Sequence, residues 1–271
     1  MLEKKNNTES NRTAFNTIAR VVSVQKPHEG YVELELDAPA ITSRARAGQF
    51  VLVRGWPYAE PMLPRPFDIM ESDPQHGRLW LLIKITGQGT RLLSRLETGS
   101  EVVLTGPLGK GITELHCDAI GLLVRGAGAA AVVMLAQQAQ ANKVKVYTFH
   151  SASQGNRLVG RARLEAASDE YYVATDDGSS GYHGNATDLV DEVMQRQRLD
   201  RLYTCGSRRF ARYVRLCEQQ RHVAGYVFLE EYMACGLGYC HGCAVKRARG
   251  DGYVLVCTEG PVLSVSEVEL A

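Results

Sequence analysis

The chain has 271 residues, and its 31 Lys and Arg residues against 30 Asp and Glu residues give a net charge of +1. This balance provides no overall field for nucleic acid or an anionic membrane, so we expect neither as a partner. The longest apolar stretch, near 127–136, is too short to span a bilayer, and the polar N-terminus lacks a signal-peptide pattern. The composition therefore predicts a globular cytoplasmic protein.

The first part of the chain has a β pattern. Residues 1–14 are almost all polar and are predicted to form a disordered tail. Short alternating segments, punctuated by Gly and Pro, then predict an antiparallel β-barrel over 15–114. The predicted strands are 17–26, 31–37, 49–54, 79–85 and 101–104, with one helix at 90–97.

After the barrel, the pattern changes to alternating strands and helices. The predicted strands are 120–124, 144–149, 171–175 and 201–205, and the predicted helices are 130–141, 187–196 and 208–220. This order indicates βα units around a parallel sheet, so we expect an α/β domain over 115–225. The remaining segment, 226–271, is rich in Gly and Cys and is predicted to form a separate small domain.

Four of the seven cysteines are close together in this last segment, in the pattern C-x4-C-x2-C-x13-C. They are Cys235, Cys240, Cys243 and Cys257. Plant-type ferredoxins hold a [2Fe–2S] cluster with C-x4-C-x2-C and a distant fourth cysteine, so these four are the predicted ligands of such a cluster. A structural zinc site is the alternative, although zinc sites usually use two short C-x2-C hooks and this pattern has one.

Two segments of the predicted barrel have residue types that hold phosphate groups. Arg65 precedes a rigid proline, and in a strand of the barrel the guanidinium of such an arginine can offer a fixed fork of donors. The turn 87–90, GQGT, leads into the predicted helix, and backbone N–H groups at such a start favour a pyrophosphate. Each signal alone is weak, and an ordinary edge-strand arginine and a plain turn are the alternatives.

A third segment has the order strand, small-residue loop and helix that is typical of a dinucleotide loop. The loop 126–130 is GAGAA, and its two alanines, followed by Val133 in the helix, narrow the space for a pyrophosphate. Other residues follow predicted strands, on the sheet edge where such folds bind ligands. The predicted nucleotide-binding residues are Gly126, Gly128, Asp176, Cys205 and Gly206. A closely packed helix start without a ligand is the alternative.

Taken in chain order, the segments RPFDI, GQGT, GPLGKG, ATDDGS, YTCG and the cysteine loop resemble the ferredoxin-reductase-like electron-transfer subunits of NAD-linked, two-subunit dihydroorotate dehydrogenases. The resemblance covers nearly the whole chain after residue 14. It implies FAD in the barrel and the cluster on the four cysteines. The implied FAD contacts are Arg65, Pro66, Phe67, Leu82, Ile83, Lys84, Gly89 and Thr90. Asp68, also assigned to this site, stands where the family usually has a hydroxyl residue.

The resemblance implies an oxidoreductase subunit that moves electrons between NAD(H), FAD and the cluster. The sequence has no motif for an organic substrate site, so the expected partner is a catalytic, flavin-dependent dihydroorotate dehydrogenase in a hetero-oligomer. Three alternatives stay open. They are a freestanding NAD(P)H:acceptor reductase, a subunit of another dehydrogenase whose nucleotide site no longer binds, and a non-catalytic subunit with structural zinc.

Overall fold

The computed structural model describes residues 15–56 and 60–270. The predicted tail, 1–14, lies outside the described residues. None of the described helices is both long and apolar enough to cross a membrane.

The N-terminal part is a seven-stranded antiparallel sheet. Its elements are β1 (Phe15–Gln25), β2 (Tyr31–Asp37), α1 (Pro39–Thr42), β3 (Phe50–Arg54), β4 (Arg65–Asp68), β5 (Glu71–Asp73), β6 (Arg78–Lys84), α2 (Gln88–Leu93) and β7 (Glu101–Leu108). The strand order is β4-β3-β7-β1-β2-β6-β5. The two edge strands, β4 and β5, are separated in the chain only by residues 69–70. The sheet therefore curls until its edges meet, as the predicted barrel requires.

Alternating apolar residues fill the inside of this barrel. In β2 and β6, the fully buried side chains are Val32, Leu34, Leu36, Leu79, Leu81 and Ile83. The two strands pair so that these residues lie directly opposite one another across the sheet. The period of two places Glu33 and Leu82 on the other face, toward the α/β domain.

The rest of the chain builds a second seven-stranded sheet and a small hairpin. Its elements are β8 (Ala119–Arg125), α3 (Ala129–Ala141), β9 (Lys145–Ala152), α4 (Arg161–Ala166), β10 (Glu170–Thr175), β11 (Tyr182–His183), α5 (Ala186–Arg196), β12 (Arg201–Cys205), α6 (Arg208–Arg221), β13 (Ala224–Phe228), β14 (Ala244–Lys246), β15 (Tyr253–Leu255) and β16 (Val262–Ser264). The sheet order is β11-β10-β9-β8-β12-β13-β16, parallel except for β16.

The order of this parallel sheet reverses next to β8. Strands β9 and β10 continue on one side of β8, and β12 and β13 continue on the other. Open α/β sheets bind ligands at such a reversal, outside the carboxyl ends of the two central strands. The fold thus places the ends of β8 and β12, with residues 125–128 and 205–206, at the expected binding edge.

The C-terminal segment is connected to the α/β sheet. Strand β13 crosses the predicted boundary between residues 225 and 226, and β16 pairs with it in antiparallel register. Strands β14 and β15 form a separate two-stranded sheet. The cysteine region therefore extends from the edge of the α/β sheet, and the domain limits remain predictions.

A network of charged side chains joins the barrel to the α/β domain. Arg163 of α4 donates to Glu33 of β2 over Nη2–Oε1 2.6 Å and Nη1–Oε2 3.1 Å. It also donates from Nε to Glu71 Oε2 of β5 at 2.7 Å, and Gln137 of α3 donates to Glu71 Oε1 at 2.8 Å. Glu33 is only 7 % exposed, so its hydrogen bonds with Arg163 have to replace the interactions with water that burial removes.

Candidate functional site

The predicted cluster ligands are brought together by a loop and a hairpin. Cys235 and Cys240 lie in the loop after β13, whereas Cys243 directly precedes β14 and Cys257 follows β15. Pairing of β14 with β15, extended by a hydrogen bond from Val256 N to Cys243 O at 3.3 Å, brings the ends of the hairpin together. Cysteines that are 14 residues apart in sequence thereby become neighbours.

The four thiols interact most directly in two pairs, since Cys240 helps to lower the pKa of Cys235 and Cys257 lowers the pKa of Cys243. A [2Fe–2S] cluster has two irons, each held by two thiolates, so this pairing fits it. One tetrahedral zinc ion would instead gather all four sulfurs into a single compact group. Within residues 15–56 and 60–270, the only potential ligands that form such a group of three or more, within 4.8 Å, are Asp68, Cys205 and Glu230. The donor set therefore fits the cluster better than zinc.

Backbone N–H groups point at the sulfurs of this loop. Leu237 N and Cys240 N lie 3.4 and 3.5 Å from Cys235 Sγ, and Gly242 N lies 3.5 Å from Cys240 Sγ. Burial opposes ionisation of Cys235, but these hydrogen bonds outweigh it and lower its pKa to about 7. A hydrogen bond from Cys257 lowers the pKa of Cys243 to about 6. Before any metal is added, the thiolate, which is the form that binds iron, is thus favoured at Cys235 and Cys243, whereas the hydrogen bond with Cys243 and burial raise the pKa of Cys257.

The two phosphate-binding signals of the barrel lie side by side. Arg65 begins β4 and Gly89 lies in the first turn of α2. A methyl group added at Gly89 would lie 3.1 Å from Arg65 Nε, so the guanidinium covers the start of the helix. Arg65 Nη1 also donates to Leu63 O at 2.5 Å, and its guanidinium carbon lies 5.9 Å from the centre of the Trp56 ring. A cation and helix-start amides are therefore available to one phosphate group.

Thr90 has a structural task in this turn. Its Oγ1 accepts hydrogen bonds from Thr86 N at 2.9 Å and Gly87 N at 3.0 Å, and donates to Gly87 O at 3.0 Å. A hydroxyl can donate one hydrogen bond and accept two, so these three contacts use all the hydrogen bonds that the Thr90 side chain can make. Any contact of Thr90 with FAD would therefore come from its backbone.

The other implied FAD contacts lie on β4 and β6. Arg65, Pro66, Phe67 and Asp68 make up β4 and are all partly exposed. On β6, Leu82 and Lys84 face away from the barrel interior, but Leu82 is buried in the core between the barrel and the α/β domain, and only the Lys84 side chain is exposed. Ile83 points into the barrel core and is completely buried, so only its backbone is available to a flavin.

Two glycines of the predicted nucleotide site lie where the loops after β8 and β12 touch. A methyl group at Gly128 would lie 2.5 Å from the carbonyl carbon of Cys205. One at Gly206, whose φ is +84°, would lie 2.1 Å from Arg125 O. Glycine is thus required at both positions by the contact between the loops after β8 and β12, whether or not a nucleotide binds.

Arg125 is a site residue that the sequence did not single out. It ends β8, and its guanidinium forms a two-fold ion pair with Asp176 at the end of β10, over Nη1–Oδ1 3.1 Å and Nη2–Oδ2 2.5 Å. Nη1 also donates to Ser151 Oγ of β9 at 2.8 Å. Arg125 and Asp176 are distant in sequence, and β9 lies between their strands. Their ion pair can therefore be recognised only when the order of the strands in the sheet is known. The ion pair fixes the orientation of the predicted nucleotide contact Asp176.

A second unpredicted residue, Glu230, lies where the barrel, the α/β sheet and the cysteine segment meet. Asp68 ends β4, Cys205 ends β12 and Glu230 follows β13, and one polar atom of each lies within 4.8 Å of the other two. The Cys205 thiol donates to Glu230 Oε1 over 3.9 Å. Asp68 is partly exposed, but the protein atoms around its carboxyl group displace water from it, and this loss of hydration, followed by the negative charge of Glu230, raises its pKa to about 7. Burial and both carboxylates raise the pKa of Cys205 well above its usual value.

Two family models match the chain. One is described as the iron–sulfur cluster binding domain of dihydroorotate dehydrogenase B and matches residues 230–269. The other is the oxidoreductase FAD-binding domain and matches residues 26–112. The predicted FAD and iron–sulfur domains are thereby confirmed.

Solved structures share the fold. One is the structure of an NADH-dependent reduced ferredoxin-NADP oxidoreductase, with a TM-score of 0.85, 24 % identity, and coverage of 94 % of this chain and 90 % of the other. A ferredoxin NADP+ reductase from Neisseria gonorrhoeae with bound FAD and NADP matches with a TM-score of 0.58 and 16 % identity, over 73 % of this chain and 87 % of that chain. The predicted ferredoxin-reductase-like architecture is confirmed.

Curated relatives match most of the sequence. The chain is 34 % identical over 248 residues to the dihydroorotate dehydrogenase B (NAD(+)) electron transfer subunit of Desulforamulus reducens, covering 90 % of this chain and 94 % of the relative. The protein of the same name from Geobacillus thermodenitrificans is 34 % identical over 254 residues, or 92 % and 97 % of the two chains. The chain therefore belongs to the family of dihydroorotate dehydrogenase B (NAD(+)) electron transfer subunits.

Proposed function

We propose that this chain carries electrons between NAD(H), FAD and a [2Fe–2S] cluster, as one subunit of a hetero-oligomer with a catalytic dihydroorotate dehydrogenase in pyrimidine biosynthesis. FAD supplies the chemistry of exchanging a hydride with a nicotinamide and passing electrons on singly. The polypeptide has to hold the cofactors close together and present them to a partner.

The observation that carries this proposal is the packing of the cluster ligands on the barrel. Cys243 and Cys257 belong to one buried apolar group with Phe50, Leu52 and Leu108 of β3 and β7. Strand β3 pairs directly with β4, the strand of Arg65 and Asp68. A cluster held by these thiolates would therefore lie against the same strands that form the proposed flavin site, which gives electrons a short path.

The proposed roles of the residues follow from this geometry. The Arg65 guanidinium and the amides at the start of α2 hold a phosphate of FAD, and β4 together with the backbone and the exposed end of β6 holds its ring. Residues at the ends of β8, β10 and β12 hold the nicotinamide nucleotide. The four cysteines bind the iron, and the N–H groups of the loop stabilise its sulfur ligands.

The surface around the cluster loop suits a partner subunit. Three apolar side chains of this loop are exposed: Tyr232 at 90 %, Leu237 at 39 % and Tyr239 at 86 %. Exposed aromatic groups of this kind are enriched where proteins bind one another. We assign this face to the catalytic subunit, because electrons leaving the cluster then cross the shortest distance.

A binding experiment tests this assignment. Tyr239→Glu should weaken the complex with the catalytic subunit in size-exclusion and pull-down assays, since it places a charge in the interface. Leu216→Glu, on the exposed side of α6, is the matched control and should leave the complex intact. A wild-type chain that stays a monomer in the presence of the catalytic subunit and reduces a natural acceptor alone would instead support a freestanding reductase.

The proposed location is the cytoplasm. Seven is an odd number of cysteines, and four of them lie in the cluster segment. Free thiols and thiolate-bound clusters persist in a reducing compartment, whereas exported proteins tend to form disulfides.

A further inference from the structure

We propose that Asp68 and Glu230 share a single proton near neutral pH, and so place one negative charge instead of two beside the flavin. The inference rests on the proposed function, because it takes the crevice at the end of β4 as the flavin site. Both carboxyl groups belong to this chain, and neither is needed to bind a phosphate or the cluster.

The two carboxyl groups come together from distant parts of the chain. Asp68 comes from the barrel and Glu230 from the segment that leads to the cysteine loop, yet a carboxylate oxygen of each lies within 4.8 Å of the other and of Cys205 Sγ. Two carboxyl groups this close titrate as a pair, because the second ionisation has to overcome the charge created by the first. One proton between them removes that repulsion.

The surrounding groups decide which member holds the proton. Cys205, buried and neutral, donates its S–H to Glu230. Glu230 is an exposed residue, and Lys84 at the end of β6 is the cation that faces it. Solvent, Lys84 and the Cys205 thiol together favour the ionised form of Glu230. Asp68 has no such cation among the described residues that affect it, and burial raises its pKa to about 7. The arrangement makes Asp68 the acid and Glu230 the carboxylate.

The shared proton couples electron uptake to pH. Two ionised carboxylates beside the flavin would oppose the arrival of further negative charge, and a proton on Asp68 halves this opposition. Electrons that arrive strengthen proton binding by the pair, and electrons that leave weaken it. Only the O–H bond of Asp68 changes, with the proton taken from solvent on uptake and returned on release.

Infrared spectroscopy of the FAD-loaded protein tests the pair directly. The wild type should show the C=O stretching band of a protonated carboxyl group at about pH 6 and lose it by about pH 8, on either side of the Asp68 pKa of about 7. Asp68→Asn should remove this band. Glu101→Gln, which removes an exposed carboxylate of β7, is the matched control and should leave it unchanged. In Glu230→Gln, the band should disappear at a lower pH, since the neighbouring charge is gone.

The flavin midpoint potential provides a second readout. Above about pH 7, its dependence on pH should be steeper in the wild type than in Asp68→Asn, because only the wild type takes up a further proton at Asp68 on reduction. FAD content and bleaching by NADH, measured on the same samples, report separately on the proposed function. A protein that binds and reduces FAD but shows no titrating carboxyl band would overturn the shared proton, and so would a band whose intensity and pH dependence are the same in the wild type, Asp68→Asn and Glu230→Gln.

Discussion

His150 shows how burial sets the protonation of one side chain. It is completely buried in β9, its Nδ1 lies 2.7 Å from Tyr171 Oη, and its Nε2 has no hydrogen-bond partner in the described part of the chain. Burial, and then the positive charge of Arg161, lower its pKa to about 3. The folded protein therefore contains neutral histidine, whereas an unfolded chain protonates it near pH 6.5.

This difference predicts an acid-sensitive fold. A folded pKa below the unfolded value means that the contribution of His150 to stability is complete above about pH 6.5 and is lost as the pH falls toward 3, by about 1.4 kcal/mol per pH unit. Urea unfolding at several pH values should show His150→Phe to be less sensitive to acid over this range than the wild type. Equal pH dependence of the two proteins would contradict the assignment.

Arg65 carries a second residue-scale prediction. Arg65→Ala removes one charge-assisted phosphate contact of about 1.5–3 kcal/mol, so FAD should dissociate more readily, as measured by equilibrium dialysis. Arg91→Ala, in the last turn of the same helix α2, is the control and should retain FAD. Equal FAD affinity in the wild type and in the Arg65→Ala, Thr90→Ala double mutant would count against this site.

Some residues of the candidate sites could be recognised from the sequence, and others could not. Cys235, Cys240 and Cys243 lie within nine residues, so their spacing alone indicated the site. Glu230 and Arg125 were missed because their partners, Asp68 and Asp176, meet them only through the packing of separate strands. A charged residue at the end of a strand is too common in sequences to indicate such a contact.

At the scale of elements, the close contact between the loops after β8 and β12 limits substitution at Gly128 and Gly206. Gly128→Ala places a methyl group against the backbone of Cys205 and should lower the free energy of unfolding by about 1–3 kcal/mol. Ala127→Gly, one residue away, is the control and should cost at most about 1 kcal/mol. Thermal unfolding distinguishes them, and equal stability would mean that the loops move apart freely.

The same pair of variants tests nucleotide binding. If NADH enters at this edge, Ala127→Gly should bleach the flavin as fast as the wild type or faster in anaerobic stopped-flow experiments, because a methyl group is removed from the helix start. Gly128→Ala should bleach it more slowly. Bleaching by the reduced catalytic subunit but by neither NADH nor NADPH would show that this chain receives its electrons from the partner.

Most long elements followed from residue patterns, and short ones did not. Strand β12 has its predicted bounds, and α3 begins one residue before the prediction. Helix α2 begins at Gln88 and ends at Leu93, earlier than the predicted 90–97, since Thr90 caps its first turn. Strands of three residues, such as β5 and β16, exist only through pairing with a distant strand, so local sequence could not reveal them.

At the scale of the whole molecule, Arg163 holds the α/β domain against the barrel. Arg163→Met should cost about 3 kcal/mol, because it leaves the buried Glu33 without its cation. Arg161→Met, on the same helix but in an exposed pair with Glu165, should cost less than about 1 kcal/mol. Urea unfolding measures both, and similar losses would show that the interdomain network adds no stability.

The most direct test of the account is an anaerobic titration of the purified protein with NADH, followed by visible absorption and electron paramagnetic resonance. We predict about two irons, two labile sulfides and one FAD per chain, with NADH bleaching the flavin and producing the signal of a reduced [2Fe–2S] cluster. Cys240→Ser should lose the iron and the signal, whereas Cys217→Ser, a buried cysteine of α6, should keep both. Stoichiometric zinc without sulfide, or bound FAD with no cluster signal under any reductant, would contradict the account.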